Sequence, residues 1–296
     1  MIACIMLCGC EIRMEAPEET EETLPVIVTT EITEETEPEP QPYPVKINDV
    51  IIEKKPERVV SLSSSLTEIL YEMGYGDTVV GRGSYCDFPL EVEAVTDMGR
   101  PSKPNFDSII SVKPDILFTA TAIPVKDMYK LEENGIKVVY IPCPTTLEEF
   151  ERVYAALGLI FEGIFDGESI GGNHFSSLKS IINNADIELG KFIYVTEGLT
   201  IATGDTFENS VLSNFGTNIA ADGKDYSYPK EYLAEFQPEI ILLNDNYTVD
   251  DLLADELFST LDAVVNGNVY CISNTYFERP SYRLSELVEA LSAISE

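Results

Sequence analysis

Side chains able to attack, transfer protons or hold a metal are scarce in this chain. Its 296 residues include one His, six Cys, fifteen Tyr and no Trp. A transition-metal site built on several imidazoles is therefore excluded, and a Ser–His–Asp triad would have to use His174. His174 falls in a stretch of helical periodicity with no triad-like surroundings, so a solvated or packed helix residue is expected. No G-x-x-x-x-G-K-[ST] phosphate loop occurs, and the one G-x-S-x-G string, Gly167–Gly171, falls within a helical run rather than on a strand-to-helix elbow, which disfavours an exported α/β enzyme and points to no catalysis. Tyrosine phenolates can ligate ferric iron, so an iron-bearing ligand stays open.

Composition narrows the class further. Net charge is −33 with 44% apolar residues, so a real core is available while a phosphate backbone would be repelled; nucleic-acid binding is not expected. Residues 1–10 read MIACIMLCGC, and Leu7-Cys8-Gly9-Cys10 is similar to a bacterial lipobox, with Cys10 as the lipidated residue. The apolar run before it is short and lacks a basic start, so the true initiation codon is expected upstream. This reading implies an extracytoplasmic protein held on the cell membrane by a lipid anchor. Residues 11–44 carry eleven Glu and one Arg among Thr and Pro, and are expected to form a disordered acidic tether.

The folded part is expected from about Val45. Strands are predicted at 45–47, 50–53, 58–62, 77–81, 115–119 and 137–141, with helices at 66–73, 105–112 and 125–134. Ser65 with Glu68 reads as a capping box for the first helix. After residue 184 the same alternation resumes, with strands at 191–196, 238–243 and 268–272 and helices at 207–215, 232–236, 249–261 and 280–295. Between the halves, Leu147, Phe150, Tyr154, Leu157, Phe161 and Ile164 recur at helical spacing, followed by Phe175, Leu178, Ile181 and Ile182. Thr146 with Glu149 suggests a capped start, while Gly158, Gly163 and Gly171-Gly172 weaken the run. The fold class read here is α/β: two Rossmann-like lobes, 45–145 and 185–296, joined by a long rigid helix over 146–184. One large α/β domain, with that helix as an ordinary crossover, is the alternative. Open parallel sheets bind at the carboxyl ends of their strands. That rule selects Ser63–Ser65, Ser84–Phe88, Thr119–Ile123, Pro142–Thr145, Glu197–Leu199, Asn244–Tyr247 and Asn274–Arg279.

PERVVSLSSSLTEILYEMGYGDTVVG at 56–81, SYCDFP at 84–89, NFDSIISVKPDILF at 105–118, ENGIKVVYI at 133–141 and NTYFERPSYR at 274–283 carry a family likeness. The chain resembles the ABC-transporter substrate-binding proteins of the iron/cobalamin class, with the vitamin B12-binding branch the nearest. The resemblance implies two lobes bridged by one rigid helix, and a monomer that delivers a solute to a permease and its ATPase. It implies a metal-containing small-molecule ligand, a corrinoid or else haem or a ferric siderophore, and no cofactor of the protein's own. A Zn or Mn binder is disfavoured for want of His.

Carried over residue by residue, the resemblance places one permease-docking Glu on each lobe's rim, here Glu68 and Glu231. With the strand-end rule it nominates Ser64, Tyr85, Cys86, Asp87, Phe88, Thr121, Glu197, Asn246, Tyr247, Tyr276, Phe277 and Arg279 as cleft residues. Because Trp is absent, ring contact with a ligand would fall to Tyr85, Phe88, Tyr247, Tyr276 and Phe277, which could equally pack loop against loop. Arg279 could pair with a ligand group or with Glu278. Cys86, Cys143 and Cys271 are expected as free thiols: in a 2-1-3-4 sheet the strands preceding Cys86 and Cys143 lie at opposite edges, too far apart for a disulfide. Cys86 is the one thiol expected to touch ligand.

Overall fold

The computed structural model describes residues 40–295; the lipobox, Cys10 and the tether up to residue 39 lie outside the described residues. A hairpin of β1 (Val45–Ile47) and β2 (Val50–Ile52) turns at Asn48, whose φ of 52° suits the left-handed corner. The first lobe holds β3 (Val59–Ser61), α1 (Ser64–Glu72), β4 (Val79–Arg82), a two-strand ribbon of β5 (Gly99–Arg100) and β6 (Lys103–Pro104), α2 (Phe106–Ser111), β7 (Ile116–Thr119), α3 (Val125–Glu133) and β8 (Lys137–Tyr140). Its four-stranded sheet is parallel in the order β4-β3-β7-β8, the 2-1-3-4 arrangement expected. After α4 (Leu147–Asn184) the second lobe runs β9 (Lys191–Val195), α5 (Phe207–Leu212), β10 (Thr217–Asn218), α6 (Glu231–Phe236), β11 (Ile240–Asn244), α7 (Val249–Ala254), α8 (Asp262–Val265), β12 (Val269–Ile272), α9 (Thr275–Glu278) and α10 (Leu284–Ser295). Its sheet is parallel in the order β10-β9-β11-β12. Strands such as Ile116–Thr119 are buried on both faces, which is why they read as continuous apolar runs.

Local signals placed most of these elements, although β5, β6 and β10 were not expected, the helix expected over 249–261 ends at Ala254, that expected over 280–295 starts at Leu284, and one cap differs. The α1 cap is Ser63, whose Oγ accepts from the Leu66 N–H; Ser65 lies inside the helix, and its hydroxyl donates to the Pro280 carbonyl. At α4 the Thr146 hydroxyl accepts from the Glu149 N–H at 3.1 Å, while the Glu149 carboxylate reaches back one residue further, to Thr145.

The inter-lobe segment is helical over Leu147–Asn184 except at Gly163, where φ is 77° and ψ −171°. That single residue reverses the chain. In one straight helix Phe150 and Phe175 would stand about 37 Å apart; their ring centroids are 5.7 Å apart, edge to face. The segment is thus an antiparallel helical hairpin. Its arms touch backbone to backbone, because a Cβ on Gly158 would collide with the Gly167 carbonyl and one on Gly171 with that of Tyr154. The arms also reach both lobes: Phe161 stacks on Tyr75 at 4.1 Å, and Phe150 packs against Phe207 at 5.8 Å. Two interlocked arms resist bending better than one, so the bridge is stiff. The segment before β1 docks on its turn, with Pro42 accepting from the Ile164 N–H and the Tyr43 hydroxyl donating to Ile160.

A second connection joins the lobes. Residues 279–283, between α9 and α10, lie on α1 and on the 85–88 loop. Ser281 donates to Glu68 at 2.6 Å, Arg283 stands 3.9 Å from the same carboxylate and over the Phe88 ring, and Arg279 pairs with Asp87 at 2.5 Å. One apolar core runs through α1, α4, α10 and both sheets beneath this clasp.

Candidate functional site

Each lobe presents the carboxyl ends of its parallel strands to the other, and two cavities open there, of about 450 and 500 Å³. Cys143, Pro144 and Glu278 line both, so the cavities adjoin. The first lies against the first lobe. Its wall is Leu62 and the Ser63–Ser65 turn after β3, Tyr85, Thr121 after β7, and Ile141 and Pro142 after β8, closed by Arg279 from the second lobe. The Ser64 hydroxyl donates to the Tyr85 carbonyl at 2.8 Å, which fixes the turn against the aromatic loop. The second cavity lies against the second lobe, between Glu197 after β9, the Asp205–Glu208 start of α5, the Asp225–Tyr226 turn, and Phe277.

Ser64, Tyr85, Thr121, Glu197, Phe277 and Arg279 all line this cleft. Tyr85 is 49% exposed; Phe277 is nearly buried, edge-on to Tyr194 at 5.0 Å. Arg279 is committed to Asp87 across the lobes rather than to Glu278. Tyr247 stands behind the wall, its hydroxyl donating to Glu197 at 3.0 Å and accepting from the Gly198 N–H. Asn246, Phe88 and Tyr276 line neither cavity; the two rings instead flank Arg283 in the clasp.

Two expectations are corrected. Cys86 is 1% exposed and faces the first lobe's core, where the Thr67 hydroxyl lies 3.2 Å from its sulfur; the preceding Tyr85, not the thiol, turns to the cleft. Burial also pushes the Cys86 thiol up. Glu68 is likewise 1% exposed, so it does not stand on a rim where another protein could reach it. Its position on the inner face of α1, under residues 281–283, makes it part of the clasp. Burial pushes its carboxyl up to about 7 against the opposing pull of Ser281, Arg283 and Arg279. Glu231 is exposed in the first turn of α6. His174 is a partly exposed helix residue 2.8 Å from Glu72. Cys86, Cys143 and Cys271 are free.

Cys143 lies in the strand-end segment Pro142–Thr145 but was expected only as a free thiol, while Glu208 and Tyr226 fall outside every segment selected from the sequence. Cys143 sits on the floor common to both cavities; the surrounding protein leaves it reachable yet desolvates the thiol, and with the Glu208 carboxylate raises it to about 11. Glu208 is 6% exposed, and the Tyr226 hydroxyl donates to its carboxylate at 3.2 Å from either oxygen. Burial raises the Glu208 carboxyl, opposed by hydrogen bonds from its own backbone, Thr206 and Tyr226. Asp225 and Tyr226 have φ of 51° and 58°, an unfavourable pair for non-glycine residues. The turn is held by the Asp205 carboxylate accepting from the Asp225 N–H and by Thr203 accepting from the Tyr226 N–H. Glu208, Asp225 and Tyr226 follow no strand directly, so the strand-end rule does not reach them; the Asp-Tyr pair outside any periodic run was the available signal. Among the described residues no group of three or more His, Cys, Asp and Glu side chains could hold a metal ion, and no helix is long and apolar enough to cross a membrane.

Comparison with known proteins gives a consistent set of likenesses. Residues 59–168 match the family model described as periplasmic binding protein. An uncharacterised ABC transporter substrate-binding lipoprotein of Bacillus subtilis is 30% identical over 84% of this chain and 85% of its own length. A vitamin B12-binding protein of Vibrio parahaemolyticus is 25% identical over 79% of this chain and 87% of its own. Among solved structures, a possible iron-binding periplasmic solute-binding protein of Staphylococcus epidermidis superposes with a TM-score of 0.68 at 24% identity, covering 81% of this chain and 99% of that one. The periplasmic haem-binding protein HutB of Vibrio cholerae gives 0.67 at 18%, covering 80% and 98%.

Proposed function

This chain belongs to the periplasmic binding protein family of ABC-transporter substrate-binding proteins, and from that premise we propose that it captures a corrinoid in the inter-lobe cleft and hands it to its permease. The family is solute-binding rather than catalytic, and its members work with a permease and an ATPase. The observation that carries the ligand reading is the pair of adjoining cavities of about 450 and 500 Å³. Together they reach the upper end of the roughly 300–1,000 Å³ usual for small-molecule sites, room for a large macrocycle. Tyr85 and Pro142 offer apolar contact on one side of it and Phe277 on the other. The vitamin B12-binding relatives support the same ligand class. Haem is the second reading, favoured by the Tyr226 phenol at the cavity edge, a group able to ligate ferric iron.

Export and lipidation at Cys10, supported by the lipobox and by the name of the B. subtilis relative, would hold the protein at the membrane. The test of the ligand is an absorbance spectrum. The full chain is mixed separately with cyanocobalamin, haem and a ferric siderophore, desalted, and scanned. Corrin bands near one equivalent are expected. Haem or siderophore bands alone would move the ligand, and a colourless protein throughout would reject all three.

A further inference from the structure

The two walls of the cleft differ in charge. The first-lobe wall is apolar with a few hydroxyls, and among the described residues the one cation lining either cavity, Arg279, is already paired with Asp87 at 2.5 Å. Among the described residues the second cavity is lined by five carboxylates, of Glu197, Asp205, Glu208, Asp225 and Glu278, and by no Lys or Arg. Glu208 is the one set deep, and the strained Asp225–Tyr226 turn is pinned so that the phenol meets it. An ionised carboxylate offers about four acceptor positions, and its own backbone N–H, Thr206 and Tyr226 occupy three of them, so Glu208 keeps room to accept from one further donor.

We infer that Glu208, with Tyr226, makes the second-lobe wall a specificity determinant that selects ligands presenting N–H donors, amide-bearing or cationic, and rejects those presenting carboxylates. This rests on the inter-lobe cleft being the ligand site. A ligand carboxylate brought against this wall would meet like charge, with no unpaired cation among the described lining residues to neutralise it, a juxtaposition that weakens binding. A primary amide meets acceptors instead, and its two N–H groups are satisfied on burial. The wall thus separates macrocycles of equal size by the charge of their side chains.

The test uses matched pairs on the full chain. Cobinamide and cobyrinic acid carry the same corrin ring with amides in one and carboxylates in the other; haem and its dimethyl ester form the equivalent porphyrin pair. Affinity is measured by visible titration at low and at high salt. The uncharged or amide member is expected to bind at least about tenfold more tightly than the acid. Glu208→Gln, which keeps an acceptor for Tyr226, is expected to narrow that ratio by about threefold or more, as is high salt. A thermal melt confirms that the variant folds, and Tyr226→Phe is run beside it as a second change to the same wall. Equal affinity within whichever pair binds, or a ratio untouched by Glu208→Gln in a folded protein, would overturn the selectivity while leaving the corrinoid reading intact. Binding confined to the porphyrin pair, with the ester preferred, would overturn the corrinoid reading and keep the selectivity. Retention of neither macrocycle in either form overturns both.

Discussion

Glu68 shows how a single residue changes meaning with its surroundings. On an exposed helix face it would be one carboxylate among many; here it is buried between α1 and residues 281–283, bonded to Ser281, with Arg283 3.9 Å away and Asp87, Arg279, Tyr154 and Tyr282 as further charged or titratable neighbours. Its carboxyl is pushed up to about 7 from an ordinary 4.5, mainly by burial. A raised value means that the folded state binds the proton more tightly than the unfolded chain. The resulting stability is therefore full below about 4.5, falls as pH rises, and is gone above about 7. Its size is up to about 3 kcal/mol. The melting temperature is expected to drop between pH 5 and pH 8, and Glu68→Gln should flatten that drop. An identical pH slope in the variant would remove Glu68 as its source. Asp205 and Asp255, whose values are lowered, lose their contribution only in more acidic solution and do not enter this window.

At the scale of elements, the hairpin within Leu147–Asn184 depends on glycine at three close approaches and at the turn. Gly158, Gly167 and Gly171 each face the opposing arm's backbone, which has nowhere to retreat, and Gly163 combines φ of 77° with contact to Pro42. Gly158→Ala forces the arms apart, an overpacking expected to cost about 1–3 kcal/mol and to lower the melting temperature by about 2–10 °C. Gly163→Ala should cost a similar amount through its left-handed backbone. Gly172, beside which a Cβ would meet nothing within 4 Å, is the control: Gly172→Ala is expected to be neutral or slightly stabilising. Equal melting temperatures for Gly158→Ala and Gly172→Ala would refute the close-packed hairpin.

For the molecule as a whole, the two lobes are tied by the α4 hairpin and by the clasp at residues 279–283. This predicts small adjustments of the cleft on binding rather than wide opening. It also separates two glutamates that the sequence treated alike. Glu68→Arg would bury a second cation beside Arg283 and is expected to unfold or strongly destabilise the protein. Glu231 is exposed in the first turn of α6, and we propose it as a permease contact. Glu231→Arg should leave the melting temperature and ligand affinity unchanged while lowering transport in cells or reconstituted vesicles. Undiminished transport would exclude the contact.

The sequence by itself determined the two α/β halves, the strand order of the first sheet, the extent of the central helical segment and the strand ends that meet at the cleft. Those follow from periodicity, capping and the right-handed crossover, which act over a few residues or a single βαβ unit. Only the tertiary structure decided that Gly163 turns the central segment into a hairpin, because a glycine that weakens a helix and one that reverses it look the same until the arms have something to pack against. It alone decided that Glu68 and Cys86 point inward while Glu208 and Tyr226 face the cavity. Burial is set by partners hundreds of residues away, such as Ser281 for Glu68, and no local pattern encodes them.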